Sequence, residues 1–448
     1  MGSPTQPDQN GSRIKLVFRA LRHRNFQLFF SGQLISLVGT WMQNIAQAWL
    51  VYRITGSSLA LGSIGFVSQI PVFIAAPIGG TIADRYNRHK LVIGTQISSM
   101  VLALILAALT LTGTIQLWHI FVLSALLGFV NGIDIPARQS FMVEMVGKED
   151  LMNAIALNSS MFNGARIIGP AIAGVLVAAI GEGWCFFVNG VSYIAVIVGL
   201  LMMQVTPHRV IAQSSPVKHI IEGFQFVRGA IAIRDLLLLL GVVSLVAMPY
   251  AVLMPIFADR ILHGGAKGLG ILMGATGVGA LLAALSLAAR SGTRGLGRLI
   301  GYAAFGFGAS LILFSLSRSF WLSVALLIPV GYGMMLETTT SNTLIQVMVP
   351  DELRGRVLAV YTMMFMGMAP LGSLFAGGVA DKIGAPLTLA IGGIVCMAAA
   401  GVFLSRLPKF RISARQMVVA QGLAGGDPPQ EITAAGIAHP PFSAESDD

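Results

Sequence analysis

Long apolar runs separated by short polar connectors dominate the chain. Twelve stretches of roughly 20 mostly apolar residues fall at 26–52, 58–82, 90–111, 117–138, 153–178, 184–204, 233–257, 267–289, 297–317, 320–342, 355–378 and 385–407. Each is long enough for an α-helix to cross a hydrocarbon core about 30 Å thick. A bilayer offers no water to backbone N–H and C=O groups, so every run is expected to be helical, with no strands. The expected fold class is an all-α integral membrane protein with twelve transmembrane helices.

The longest internal connector, 205–232, is polar and basic and divides the spans six and six. The halves overlay: GQLISLVGTWMQNIAQAWLVYRITGSSLALG (32–62) lies over GVVSLVAMPYAVLMPIFADRILHGGAKGLG (241–270). GFVNGIDIPARQSFMVEMV (128–146) lies over GYGMMLETTTSNTLIQVMV (331–349) at a constant offset of 203, which sets Asp134 over Glu337. Such weak symmetry between parallel halves is what duplicated secondary transporters show. The expected organisation is a basic cytoplasmic segment (1–24), two pseudo-symmetric six-helix bundles (25–204 and 233–407), the cytoplasmic linker between them (205–232), and a tail. The tail, 408–448, ends rich in Pro, Gly and acidic residues and is expected to be disordered and cytoplasmic.

Composition agrees with a membrane chain: of 448 residues 55% are hydrophobic and only 11% charged, with mean hydropathy +0.78. The net charge of +10 could suggest a nucleic-acid partner. Sorted by side, however, 23 of the 29 Lys and Arg residues fall on one face of the expected membrane. The positive-inside rule then places both termini in the cytoplasm of an inner, or plasma, membrane and accounts for the basicity without nucleic acid. No cleavable signal peptide is visible at the N-terminus. Cys185 and Cys396 lie far apart, in or beside spans, and offer no metal-ligand spacing. No GxxxxGK[ST], HExxH or GxSxG motif appears, so an enzyme or nucleotide-driven pump is disfavoured, and no cofactor or metal is expected.

Charge concentrates in GGTIADRYNRHK (79–90), the connector between spans two and three. Gly80, Asp84, Arg85, Arg88 and Lys90 there resemble the loop motif of the major facilitator superfamily, with Asn87 where that motif commonly has glycine. Asn tolerates positive φ better than most residues, so a tight turn is expected to survive. The resemblance implies that this loop latches the two bundles on the cytoplasmic side when the cavity opens outward. Further on, Asp134-x-Pro136-Ala137-Arg138-Gln139, Asn153-Ala154 and Arg166-x-x-Gly169-Pro170-x-x-x-Gly174 resemble the branch containing enterobactin exporters and macrolide efflux pumps. Gly169, Pro170 and Gly174 are also similar to the fifth-helix signature of drug/proton antiporters. PDELRGR (350–356) adds Arg354 and Arg356 to the expected gate beside Asp134 and Arg138. Ser124 stands where many proton-coupled relatives carry an Arg, so coupling through that Arg does not carry over.

Ionisable groups at bilayer depth are expensive and mark a pathway or a pair. Glu337 and Asp134 are therefore the candidate proton carriers, Asp134 reading more readily as a gate anchor. Glu337 has Thr338, Thr339 and Thr340 beside it. Arg166, deep in span five, needs a carboxylate, carbonyls or an anionic ligand. In span one Gln33, Ser36, Thr40, Gln43, Asn44 and Gln47 draw a polar stripe, a cavity wall or a packing interface. In the superfamily spans 1, 4, 7 and 10 line the cavity, so Tyr250, Tyr332, Trp41, Trp49, Met42, Met248 and Met334 are candidates for adaptable lining or for core. The resulting expectation is a monomeric secondary transporter. It exports a siderophore-like, macrolide-like or other amphipathic small molecule by alternating access with proton antiport. A solute importer or facilitator of the same fold, or a sensor or scaffold without net flux, stands as the alternative.

Overall fold

The computed structural model describes residues 19–205, 216–290, 292 and 295–420, and those in regular structure are helical. A 3₁₀ turn, Arg19–Arg22, leads into α1 (Arg24–Thr55), α2 (Ser58–Arg85) and α3 (Arg88–Leu111). The run Leu117–Ile180 is two helices joined at Gly147, α4 (117–146) and α5 (148–180), and α6 (Glu182–Leu201) closes the first half. A linker helix α7 (Pro216–Gly229) precedes α8 (Ile231–Val246) and α9 (Tyr250–Ile256), which continues through a π-turn at Phe257–Ile261. Then come α10 (Gly265–Ala288), α11 (Leu296–Leu316) and α12 (Phe320–Met348). Helices α13 (Asp351–Thr362) and α14 (Met368–Ile383) flank a second π-turn, and α15 (Ala385–Ser405) and α16 (Leu407–Ala420) follow.

Among the described residues ten helical runs are long and apolar enough to cross a membrane. Leu117–Ile180 counts once among them although it holds two helices. The 32-residue α1 stands outside the ten, its apolar character diluted by its glutamines. Both are consistent with twelve crossings. An even number of crossings brings the described ends of the chain to one face, here called the terminus face; Thr55, Ile180 and Ile383 lie near the other.

Two connectors differ from expectation. Residues 139–152, expected to link spans four and five, are helical on both sides of Gly147. Phe141, Met142, Met145 and Val146 are buried there, and Glu144 pairs with Arg88 at 3.0 Å. Apolar contact thus carries α4 on until Gly147, whose φ of 73° costs a glycine little and other residues more. At the other end, residues 408–420 continue as α16, with Phe410 and Val419 buried; residues 421–448 of the expected tail lie outside the described residues. The expected positive φ at Asn87 is not used. Its φ is −63°, and its side chain caps α3 by accepting from the Lys90 N–H at 3.1 Å.

Packing within the halves follows the internal repeat. α2 lies against α4 through Gly79 and Gly132, and α10 against α12 through Gly279 and Gly331. The halves meet along two helix pairs, α5 on α10 and α2 on α14.

Candidate functional site

On the terminus face the charged loop is wired within the first half. Arg88, nearly buried, donates to Glu144 at 3.0 Å and to the Ala83 carbonyl at 3.1 Å, and reaches Asp84 at 3.4 Å. Asp84 is partly exposed, Arg85 and Lys90 are exposed, and a Cβ at Gly80 would meet nothing within 4 Å. In the second half, Arg356 pairs with Glu222 of the linker helix at 3.0 Å, and Arg354 donates to the Gln346 carbonyl at 3.2 Å. The expected gate residues therefore stand in two groups, one per half.

Contacts that join the halves gather at the opposite face. Tyr52 donates to Asp259 at 2.8 Å, Arg260 donates to the Gly56 carbonyl at 3.0 Å and covers the Tyr52 ring at 5.6 Å, and Ser57 donates to Asp381 at 3.1 Å. Just below, backbone lies on backbone: a Cβ at Gly174 would sit 2.9 Å from Gly270 Cα, and one at Gly62 would sit 2.8 Å from Gly377 Cα. Gly169 packs equally closely on Trp41 and Val38, and Pro170 offers its carbonyl to the Gly270 contact. The three residues of the antiporter-like motif are thus packing positions, two of them on the seam. Sequence reasoning missed Tyr52, Asp259, Arg260, Ser57 and Asp381. The one signal was a charged Asp-Arg pair at the end of span seven.

The two candidate proton carriers, both buried, occupy matching depths in α4 and α12 and differ in their partners. Asp134 accepts from Thr95 at 2.7 Å and Gln96 at 2.9 Å, both on α3, and lies 3.4 Å from Arg138. Glu337 is wholly buried; one oxygen has only a long 3.5 Å contact from Ser341 and the other has no hydrogen-bond partner. Thr340, one turn on, is also buried with its hydroxyl unpartnered.

The polar stripe of α1 turns largely into its own bundle. Gln33, Ser36 and Gln43 are buried; Gln43 accepts from Asn189 of α6 at 2.7 Å, and Gln47 donates to Ser124 at 3.0 Å. Thr40 donates to the Ser36 carbonyl at 3.0 Å, and Asn44 is exposed. Met42 and Tyr250 are core, Tyr250 stacking edge-on against Phe307, while Tyr332 is partly buried with its hydroxyl 3.1 Å from Ser286. Partly exposed Thr339, Asn342, Thr343 and exposed Gln346 form a polar face on α12, Gln346 bonded to Asn342. Arg166 lies between the halves, over the Trp41 ring at 5.8 Å, with Nη2 3.8 Å from Met334 Sδ and the Tyr250 hydroxyl nearby.

Two six-helix halves, a seam closed at one face and buried ionisable groups at mid-depth define a membrane transporter of the major facilitator type. Solved structures share this fold. A bacterial homologue of the iron transporter ferroportin, in an inward-facing state, aligns at a TM-score of 0.64 with 15% identity over 86% of this chain and 98% of that one. A bacterial homologue of the human lysosomal transporter Spinster aligns at 0.61 with 15% identity, covering 89% and 98%. In sequence the chain is 27% identical over 392 residues to a staphyloferrin A transporter of Staphylococcus aureus (strain NCTC 8325 / PS 47), covering 86% of this chain and 97% of that protein. It is 24% identical over 407 residues to the enterobactin exporter EntS of Escherichia coli O157:H7 (strain EC4115 / EHEC), covering 89% and 96%. The family described as transmembrane secretion effector matches residues 16–421, and the chain belongs to it. It is a multi-pass membrane transporter of small molecules, not an enzyme.

Proposed function

We propose that this transporter exports a siderophore-like or comparable amphipathic molecule by alternating access, coupled to inward movement of protons. The observation that carries the coupling is Glu337, a wholly buried carboxyl with one unpartnered oxygen. An ionised carboxylate so placed, without a cation, costs several kcal/mol. Glu337, as buried here, therefore holds its proton, and gives it up toward the terminus face when water or solute reaches it there. Asp134, held by Thr95, Gln96 and Arg138, supports the division of roles by being already satisfied as a carboxylate. The names of the relatives support the solute class and, through EntS, the direction. The seam contacts support a state open toward the terminus face, with Asp84 and Arg85 available to latch that face in the alternate state. The chain works as a monomer, both halves of the pathway coming from one polypeptide, with its termini in the cytoplasm.

The test is Glu337→Gln in inverted vesicles, since the amide resembles the protonated acid without a proton to release. Uphill, gradient-driven accumulation should disappear while downhill exchange persists. Uphill transport equal to that of the unsubstituted protein at every pH would remove Glu337 from the coupling.

A further inference from the structure

Arg166 is placed where a charge is expensive. It lies 18 residues from the start of α5 and 14 from its end, about 27 Å and 21 Å along the helix, so its side chain cannot reach either face by extension. A guanidinium at such depth ordinarily has a carboxylate beside it, yet none of the ion pairs among the described residues includes Arg166. Arg166 is partly exposed, and its contacts are a thioether sulfur, which is a weak acceptor, the face of an indole and the Tyr250 hydroxyl. Most of its five donors are left for something else.

The surroundings indicate what that is. Trp41 and Phe162, edge-to-face at 5.5 Å, form an aromatic wall on the first half, and Phe162 is 46% exposed. Met334 and Tyr250 approach from the second half. A planar fork of donors at the head of an apolar, aromatic wall matches a carboxylate joined to a flat apolar body. We infer that Arg166 is the anion-recognition point of the transport pathway, and that the solute carries a carboxylate, or an equivalent planar anion, on an aromatic or similarly flat frame.

This deepens the transport reading and rests on it, because the seam between the halves is the route to Arg166. A ligand there would touch both halves at once: its anion on α5, its apolar body against Trp41 and Phe162, and its far edge against Met334 of α12. Occupancy would then exchange the Arg166–Met334 contact for a ligand contact, which ties binding to the relative position of the halves. Lysine at 166 would keep the charge and lose the fork.

The experiment uses the full chain in neutral-lipid nanodiscs and two matched probes, naphthoate and naphthamide, which share a ring system and differ in charge. Naphthoate should bind more tightly by about tenfold or more, the range expected for hydrogen bonds to a charged partner. Arg166→Gln should erase that preference while naphthamide, whose neutral carbonyl is the weaker acceptor, loses far less affinity than naphthoate, and Arg166→Lys should retain part of the preference. The lysine variant guards against misfolding of the glutamine variant, and retained naphthamide binding reports an intact pocket. Equal binding of the two probes to the unsubstituted chain, or a naphthoate preference that survives Arg166→Gln, would overturn the inference. Vesicle flux separates the two readings: a preference that depends on Arg166 without proton-driven flux would sink the antiport proposal and leave the anion site standing.

Discussion

Gly174 and Gly270 leave no room for a methyl group between α5 and α10, whereas Gly164, ten residues earlier on the same helix, has nothing within 4 Å of a built Cβ. Alanine in a helix is favoured over glycine by about 0.5–1 kcal/mol, but overpacking a tight contact costs about 1–3 kcal/mol. The signs should therefore separate. Gly164→Ala should leave flux intact and hold or raise the thermal midpoint. Gly174→Ala should push the helices apart at the seam and lower flux at least several-fold at normal expression, and equal flux in the two variants would deny the seam its role. Individual side chains were unevenly legible in the sequence. The depth of Glu337 and Asp134 could be read from the repeat, but not the difference between them, because the Thr95 and Gln96 that satisfy Asp134 sit about 40 residues away on another helix.

The helices themselves were legible almost throughout, since span length and apolar content are set by the bilayer and need no knowledge of neighbours. Their ends were less so. The long α4 continues past the expected boundary because Phe141 and Met145 find apolar partners, and α1 turns Gln43 into its bundle because Asn189 of α6 offers a polar contact. Both outcomes depend on what the helix packs against. The α2–α3 corner shows the opposite case, a local rule with a local readout. Asn87 works as an N-cap, so Asn87→Ala should destabilise the protein by about 1 kcal/mol, Asn87→Asp should be near neutral, and Asn87→Gly should cost only a few tenths. Thermal unfolding of the four proteins in one detergent would check the order, and an alanine variant as stable as the aspartate variant would contradict it.

For the whole molecule, two six-helix halves followed from the internal repeat, but the way they touch did not. Tyr52 meets Asp259 and Ser57 meets Asp381 across more than 200 positions, and no local pattern announces such pairs. These contacts hold one face shut, and alternating access requires them to part. Removing a hydroxyl that donates to a carboxylate forfeits about 1.5–3 kcal/mol, enough to shift a closure equilibrium by tenfold or more. A disulfide formed between Ser57→Cys and Asp381→Cys reports the closed face. Tyr52→Phe in that background should slow its formation by several-fold without lowering the thermal midpoint by more than a few degrees. An unchanged rate would mean that the glycine crossings alone keep the face closed.

The contacts of Arg166 with sulfur and an indole face also bear on electrical behaviour. With no carboxylate paired to it among the described residues, the guanidinium leaves the empty transporter with a local positive charge near the middle of the membrane field, and a bound anion cancels it. Carrying one elementary charge through the whole field is worth about 2.3 kcal/mol per 100 mV. A partial displacement during rocking senses a fraction of that. The return of the empty chain, with Glu337 protonated, carries this uncancelled charge through part of the field, so membrane potential acts on how fast the transporter resets.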